Sequence, residues 1–280
     1  MTSCFFVSDL HGHIDRYQKL FKAITDERPT GVFLGGDLLP HGLAAHRDFV
    51  NEVIAAGFMK LRERLADSYP RIFLIMGNDD ARVCEAAILD AAANGLLEYL
   101  HNRKIQFGEF SIYGYACVPP TPFLLKDWER YDVSRYVDPG CVALEEGRYT
   151  VAIPEHELKY STIQKDLQRL VGNDTLDQAI FLFHAPPYQT HLDRAALDGK
   201  MVDHVPLDVH VGSVAVRRFI ENRQPLLTLH GHIHESPRLT GSWKDRIGRT
   251  YLFSAAHDGA ELALVRFDLK KLEEATRELI

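Results

Sequence analysis

Five short apolar runs, each followed at once by residues able to hold a metal ion, constrain this chain more than any other feature. Residues 4–7 lead into Ser8-Asp9-Leu10-His11, 31–34 into Gly35-Gly36-Asp37, and 71–76 into Gly77-Asn78-Asp79-Asp80. Residues 179–183 lead into His184, and 226–229 into His230-Gly231-His232-Ile233-His234. Runs of that length fit strands buried on both faces and are too short for helices. After the first run, Ile14, Tyr17, Leu20, Phe21 and Ile24 fall at helical spacing over 14–25. After the second, Phe49, Val53, Phe58, Leu61 and Leu65 trace a longer amphipathic helix, and after the third, 81–93 is Ala-rich and free of Gly and Pro. Strand-turn-helix units in succession predict a parallel sheet, whose strand C-terminal ends share one edge. Donors spread from position 9 to position 234 can therefore converge in one crevice.

The helical signal stops at 107–117, where Phe110, Ile112, Tyr113 and Tyr115 mix with Gly and Ser. That stretch reads as one or two strands opening a second sheet. From 118 to about 178 the pattern is weakest. Pro119, Pro120 and Pro122 open it, a charged segment spans 126–130, and 155–171 reads as a polar helix. We take this as a candidate insertion in a single domain spanning 1–280. A helix near 214–220, strands at 250–254 and 261–267, and a charged terminal helix over 270–278 complete the reading.

At 46% hydrophobic and 25% charged residues the composition is that of a globular chain. A formal charge of −7 without a Lys/Arg cluster argues against a long nucleic-acid partner. Small anionic substrates remain possible, because bound cations reverse the field locally. Cys4, Cys84, Cys117 and Cys141 lie far apart, which suits neither a disulfide framework nor a zinc knuckle and reads as reduced thiols. The first apolar run is too short for a secretory segment or membrane span, so a cytoplasmic location with no membrane partner is expected. The oligomeric state is left open.

Imidazole, carboxylate and amide oxygen suit Mn, Fe, Zn or Ni, and no Cys joins the set. Asp-x-His and His-x-His pairs can each direct two side chains at one ion, since alternate residues of an extended chain share a face. Glycine precedes Asp37, Asn78 and His232, as tight backbone beside an ion requires.

The ordered motifs DxH, GD, GN, a lone His and GHxH resemble those of the calcineurin-like metallophosphoesterases, over Asp9 to His234. The resemblance implies an α/β fold, a four-layered αββα sandwich of two mixed sheets with the metals at the strand C-terminal edge. It implies that Asp9, His11 and His234 hold one divalent ion, that Asn78, His184 and His232 hold a second, and that Asp37 bridges them, with Mn favoured. It further implies in-line attack on a small or nucleotide-like phosphomonoester or phosphodiester by a hydroxide shared between the ions. Asn78 would also touch substrate.

Where the family reads GNH followed by Asp or Glu, this chain reads Gly77-Asn78-Asp79-Asp80, so the histidine that protonates the leaving oxygen is missing. General-acid help is worth roughly 10² to 10⁴ in rate. Asp79 itself, or His41, His204 or His257, are candidate replacements, or the leaving group is acidic enough to need none. The missing acid also motivates a competing class, a non-catalytic binding module that kept the fold. His230 reads as a packed histidine beside the ligands. Lys126 and Arg130, with Trp128, form a candidate substrate lip, the cations gripping phosphate and the indole stacking on a base.

Overall fold

The computed structural model describes residues 3–41 and 46–280. In chain order, β1 (Ser3–Val7), α1 (Ile14–Glu27), β2 (Gly31–Gly35), α2 (His46–Phe49), a π-helical turn at Val50–Ala55, α3 (Ala56–Leu65) and β3 (Arg71–Ile75) form the N-terminal units. They are followed by α4 (Glu85–Ala93), β4 (Glu98–Tyr99), β5 (Arg103–Phe107) and β6 (Phe110–Tyr115). The middle of the chain gives α5 (Glu155–Tyr160), α6 (Ile163–Val171), β7 (Ala179–Phe183) and the small hairpin β8 (Met201–Val202) and β9 (Val205–Pro206). The remainder is α7 (Val214–Arg223), β10 (Leu227–His230), α8 (Ser236–Thr240), β11 (Lys244–Ile247), β12 (Thr250–Ser254), β13 (Ala263–Asp268) and β14 (Lys271–Leu279).

Two mixed six-stranded sheets result, ordered β14-β13-β1-β2-β3-β4 and β11-β12-β10-β7-β6-β5. The strands that precede the metal-ligand motifs are parallel within each sheet: β1, β2 and β3 in the first, β7 and β10 in the second. The antiparallel strands sit at or near the edges. Gly31–Gly35 and Ala179–Phe183 are buried at every position, as strands covered on both faces must be.

Phe73 of the first sheet meets Phe107 of the second and Phe267 meets Phe253, ring centroids 5.2 and 6.0 Å apart, while Phe33 packs on Phe73 and Phe267 within the first sheet at 4.9 and 5.9 Å. This aromatic layer glues sheet to sheet. On the outer face of the first sheet, Tyr17 and Phe21 of α1 pack on Phe49 and Phe58, and on the outer face of the second, Phe219 of α7 packs on Phe181 and Phe183. Helices therefore pack on both outer faces.

Two sequence expectations are corrected. The charged tail at 270–278 is not a helix but the edge strand β14, paired antiparallel with β13. The helix expected over 155–171 is broken at Ser161, and α6 starts afresh with Thr162 Oγ1 accepting from Lys165 N at 3.2 Å. Among the described residues no helix is long and apolar enough to cross a membrane.

Candidate metal centre

Each of the seven donors lies just past the C-terminal end of a parallel strand: Asp9 and His11 after β1, Asp37 after β2, Asn78 after β3, His184 after β7, His232 and His234 after β10. The structure brings all seven together where the C-terminal edges of the two sheets meet. Ligand atoms of Asp9, His11, Asp37 and His234 lie within 4.8 Å of one another, as do those of Asp37, His184 and His232, so Asp37 belongs to both groups. Asn78 joins the second group through Oδ1, 3.1 Å from His184 Nε2. Two bonds stitch the sheets together here: His184 Nδ1 donates to the Gly35 carbonyl at 2.7 Å, and the His232 N–H donates to Asp9 Oδ1 at 3.0 Å.

The backbone is strained where the donors sit. Asp9, His11, Asp37 and His232 have φ of 57°, 47°, 53° and 75°, a region that residues with side chains avoid. Each such residue costs of order 1–3 kcal/mol and persists only where its surroundings enforce it. Asp9 N donates to the Gly36 carbonyl at 2.9 Å and His11 N to the Asp37 carbonyl at 2.8 Å, so the first two loops hold each other. Glycine is needed for space as well: a Cβ at Gly77 would meet Asp37 Oδ1 at 2.2 Å, and one at Gly231 would meet Asp9 Oδ2 at 2.7 Å.

The donor set fits divalent cations. A carbonyl oxygen only accepts, so His184 Nδ1 carries the ring proton, and in the neutral ring Nε2 turns a lone pair toward Asn78 Oδ1 and Asp37 Oδ2, both 3.1 Å away. Three lone pairs facing one point repel unless something positive, a proton on Nε2 or a cation in its place, lies among them. Among the described residues Asp9 Oδ2 is likewise buried without a hydrogen-bond partner, which is costly for a carboxylate oxygen.

The charges of the protein groups tell the same story. Burial opposes ionisation of Asp9, but the hydrogen bond and charge of His234, with His184, outweigh it and draw Asp9 down to about 2. Burial is overcome at Asp37 too, where His184 and His11 hold the carboxyl far below its usual range. Against burial, Asp37 and Asp9 lift His184 to about 10, and Asp9 lifts His234 to about 9. Burial dominates at His11 and His232, which fall to about 4 and about 3. The cluster favours added positive charge and keeps two of its rings neutral.

Asp79 stands at the position of the motif's histidine. Its N–H donates to Asp37 Oδ1 at 2.8 Å, and its Oδ2 lies 3.7 Å from His11 Nδ1 and 3.6 Å from His41 Nδ1. Burial, then the charge of Asp37, lifts its carboxyl to about 6. The exposed His41 ring stacks on that of His11, centroids 4.8 Å apart and planes 22° apart. His41 is thus beside the centre. His257 pairs with Glu261 at 3.0 Å in the loop after β12, and His204 lies on the exposed turn between β8 and β9. His230 is buried, stacked on Phe183, with Nδ1 donating to the Ala185 carbonyl at 2.9 Å.

The expected lip of Lys126, Trp128 and Arg130 is corrected. The Lys126 side chain is fully buried, its Nζ donating to Glu129 at 2.6 Å and to the Thr121 carbonyl at 2.8 Å. Arg130 pairs with Glu157 and Asp166, and Trp128 is buried against His101. The segment folds back on itself, with Val118 N donating to the Trp128 carbonyl and Arg130 N to the Val118 carbonyl, both at 2.9 Å, so its cations are taken up by its own acids.

Asp80 is the residue whose importance the motif did not convey. Fully buried, it accepts from Leu38 N at 2.9 Å and Leu39 N at 2.8 Å through Oδ1, and from Gly77 N at 2.8 Å through Oδ2. It ties the Asp37 loop to the Asn78 loop. Its place two residues after Asn78 was legible, but its partners some forty positions away were not.

The sequence pattern of the calcineurin-like phosphoesterases matches residues 3–236, and the chain belongs to this family of metal-dependent phosphoester hydrolases. No curated protein matches it. Among solved structures, TT1561 of Thermus thermophilus is 19% identical with a TM-score of 0.57, covering 99% of this chain and 98% of its own. A dimetal phosphatase from Danio rerio is 13% identical with a TM-score of 0.53, covering 94% of this chain and 91% of its own. At such identities the likeness shows a common fold.

Proposed function

We propose that the chain hydrolyses a small, nucleotide-sized phosphomonoester or phosphodiester with the help of two divalent cations. The observation that carries this reading is the pair of donor groups sharing Asp37. Asp9, His11 and His234 would hold one ion, Asn78, His184 and His232 the other, and Asp37 both, with Mn²⁺ favoured and Fe, Zn or Ni suited to the same donors. Such ions supply an acidified water and offset the charge spread over the phosphoryl oxygens.

The protein's own groups do the rest. Gly35 fixes the ring proton of His184 on Nδ1, which leaves Nε2 free as a donor toward an ion. His41, at the exposed rim, is placed to give a proton to the leaving oxygen, with the Asp79 carboxylate behind it. Asp79 and His257 stand behind His41 as candidates for that step. The net charge of −7 supports a small substrate over a long nucleic acid. The scattered cysteines support a cytoplasmic site of action.

The test is turnover of p-nitrophenyl phosphate, its bis ester and a phosphonate ester by purified protein with Mn²⁺. Activity should vanish with a chelator and in His184→Ala, and Mn²⁺ at a hundred times its dissociation constant should stabilise the wild type by about 2.7 kcal/mol. An ion-loaded wild type no more active than His184→Ala would overturn the proposal. A non-catalytic binding module, the reading that Asp79 favours, would then stand, and its partner binding would ignore chelation.

A further inference from the structure

We infer that Arg16 is a positioning residue for the metal centre, holding Asp9 in its ligand-bearing conformation by tying the DxH turn to the loop between β12 and β13. The inference deepens the proposed function and rests on it. Arg16 lies in the first turns of α1 and is buried at 7% exposure. Its Nη1 donates to the Asp9 carbonyl at 2.7 Å, its Nη2 to the Gly259 carbonyl, and its Nε reaches the Ala260 carbonyl at 3.5 Å. Among the described residues it makes no ion pair.

That use of a buried guanidinium is unusual, since a buried arginine is ordinarily paired with a carboxylate. Here its fixed fork is directed at main-chain oxygens of two loops, and a planar fork holds two partners at a set separation better than any other side chain. One of the two loops carries the first donor of the cluster. The other comes from the strand next to β10, which carries the last.

What Arg16 holds is itself strained. Asp9 has φ of 57°, its N–H is held by the Gly36 carbonyl and its own carbonyl by Arg16. In that conformation its Oδ1 accepts from the His232 N–H and lies 3.2 Å from His234 Nε2, while its buried Oδ2 has no hydrogen-bond partner among the described residues. Without Arg16 the peptide after Asp9 can turn over, returning the residue to the extended region that L-residues prefer and taking the carboxylate out of reach of His234. A site competent only a fraction of the time binds its ligand weaker by that fraction.

Arg277 supplies the control. It grips the same loop from β14, its Nη2 donating to the Ala256 carbonyl at 2.7 Å. If Arg16 mattered only by anchoring this loop, the two arginines would be equivalent.

The experiment is calorimetric titration of Mn²⁺ into the full-length wild type, Arg16→Met, Arg16→Lys and Arg277→Met, with thermal unfolding of each metal-free protein. Arg16→Met should weaken at least one binding event by roughly 10- to 100-fold, the range for partners that orient a metal ligand. Arg16→Lys should fall between it and the wild type, and Arg277→Met should stay near wild type. Wild-type affinities in Arg16→Met, or an equal loss in Arg277→Met, would overturn the inference. If Arg16→Met does not fold, Arg16→Lys decides: weaker Mn²⁺ binding with an unchanged melting temperature supports the positioning role, and unchanged binding refutes it. A wild type that takes up none of Mn²⁺, Fe²⁺, Zn²⁺ and Ni²⁺ sinks the proposed function itself, a result distinct from either.

Discussion

Replacing Asp80 by alanine should do more damage than replacing any other residue of the site that holds no ion in our proposal. The carboxylate accepts three main-chain N–H bonds in a place with no solvent exposure, from Leu38, Leu39 and Gly77. Each buried donor left without an acceptor costs about 1–3 kcal/mol, so Asp80→Ala should lose about 2–6 kcal/mol even if one donor finds water. That is a large share of the about 5–15 kcal/mol that holds a typical native protein together. Asp80→Asn keeps the shape and one acceptor oxygen for Leu38 and Leu39, but turns an NH₂ group against the Gly77 N–H, so it should lose about 1–3 kcal/mol. Urea unfolding measures these differences, and Mn²⁺ titration of the same samples measures the consequence. Leu38 follows Asp37 and Gly77 precedes Asn78, so affinity should fall in the same order, wild type, Asn, Ala. An alanine variant within about 1 kcal/mol of wild type would refute the accounting. So would a destabilised variant with undiminished affinity, because Asp80 would then hold the loops without setting the donors.

Three other outcomes are expected. Lys126→Met should destabilise by about 3–5 kcal/mol by stranding the buried Glu129 charge, Lys126→Met with Glu129→Leu should recover most of that, and neither should alter KM, whereas a lip residue would raise it. His41→Ala should slow hydrolysis of an alkyl phosphate roughly 10²-fold or more while sparing p-nitrophenyl phosphate, whose leaving group needs little proton help; equal losses on both would exclude the proton-donor role. Burial lowers His230 to about 3 in the folded protein against 6.5 unfolded, so the unfolded chain alone gains its proton as pH falls through that window, and stability drops by up to about 1.4 kcal/mol per pH unit. His230→Asn should remove one proton's worth of that slope in unfolding measured from pH 7 to 4, and an identical slope would show that His230 is not its source.

The donors were legible because a strand buried on both faces has to be apolar, so a carboxylate or imidazole directly after one announces where the strand ends and what waits there. The second sheet was legible from Phe110 to Tyr115 for the same reason. β14 was not: Leu272 and Ala275 are its buried residues, a spacing of three that mimics a helix, while an edge strand with one partner carries the charges of any solvated surface. Lys126 and Arg130 were misplaced because cation-rich sequence looks alike whether it faces a ligand or its own acids. The acid Lys126 needed, Glu129, stood three residues on, but nothing local said that the segment was buried. Beside their local bonds, Asp80 and Arg16 work through contacts 41 to 244 positions apart, and only the folded chain brings those together.

The bond from His184 to Gly35 and the bond from His232 to Asp9 have a consequence for how the protein is put together. Neither half of the polypeptide owns the cluster: a chain severed in the stretch between β6 and β7 would leave Asp9, His11, Asp37 and Asn78 on one fragment and His184, His232 and His234 on the other, the latter without the Gly35 carbonyl and Asp9 carboxylate that aim them. Mixing such fragments with a divalent ion would make uptake of that ion a direct gauge of whether the pieces had found each other.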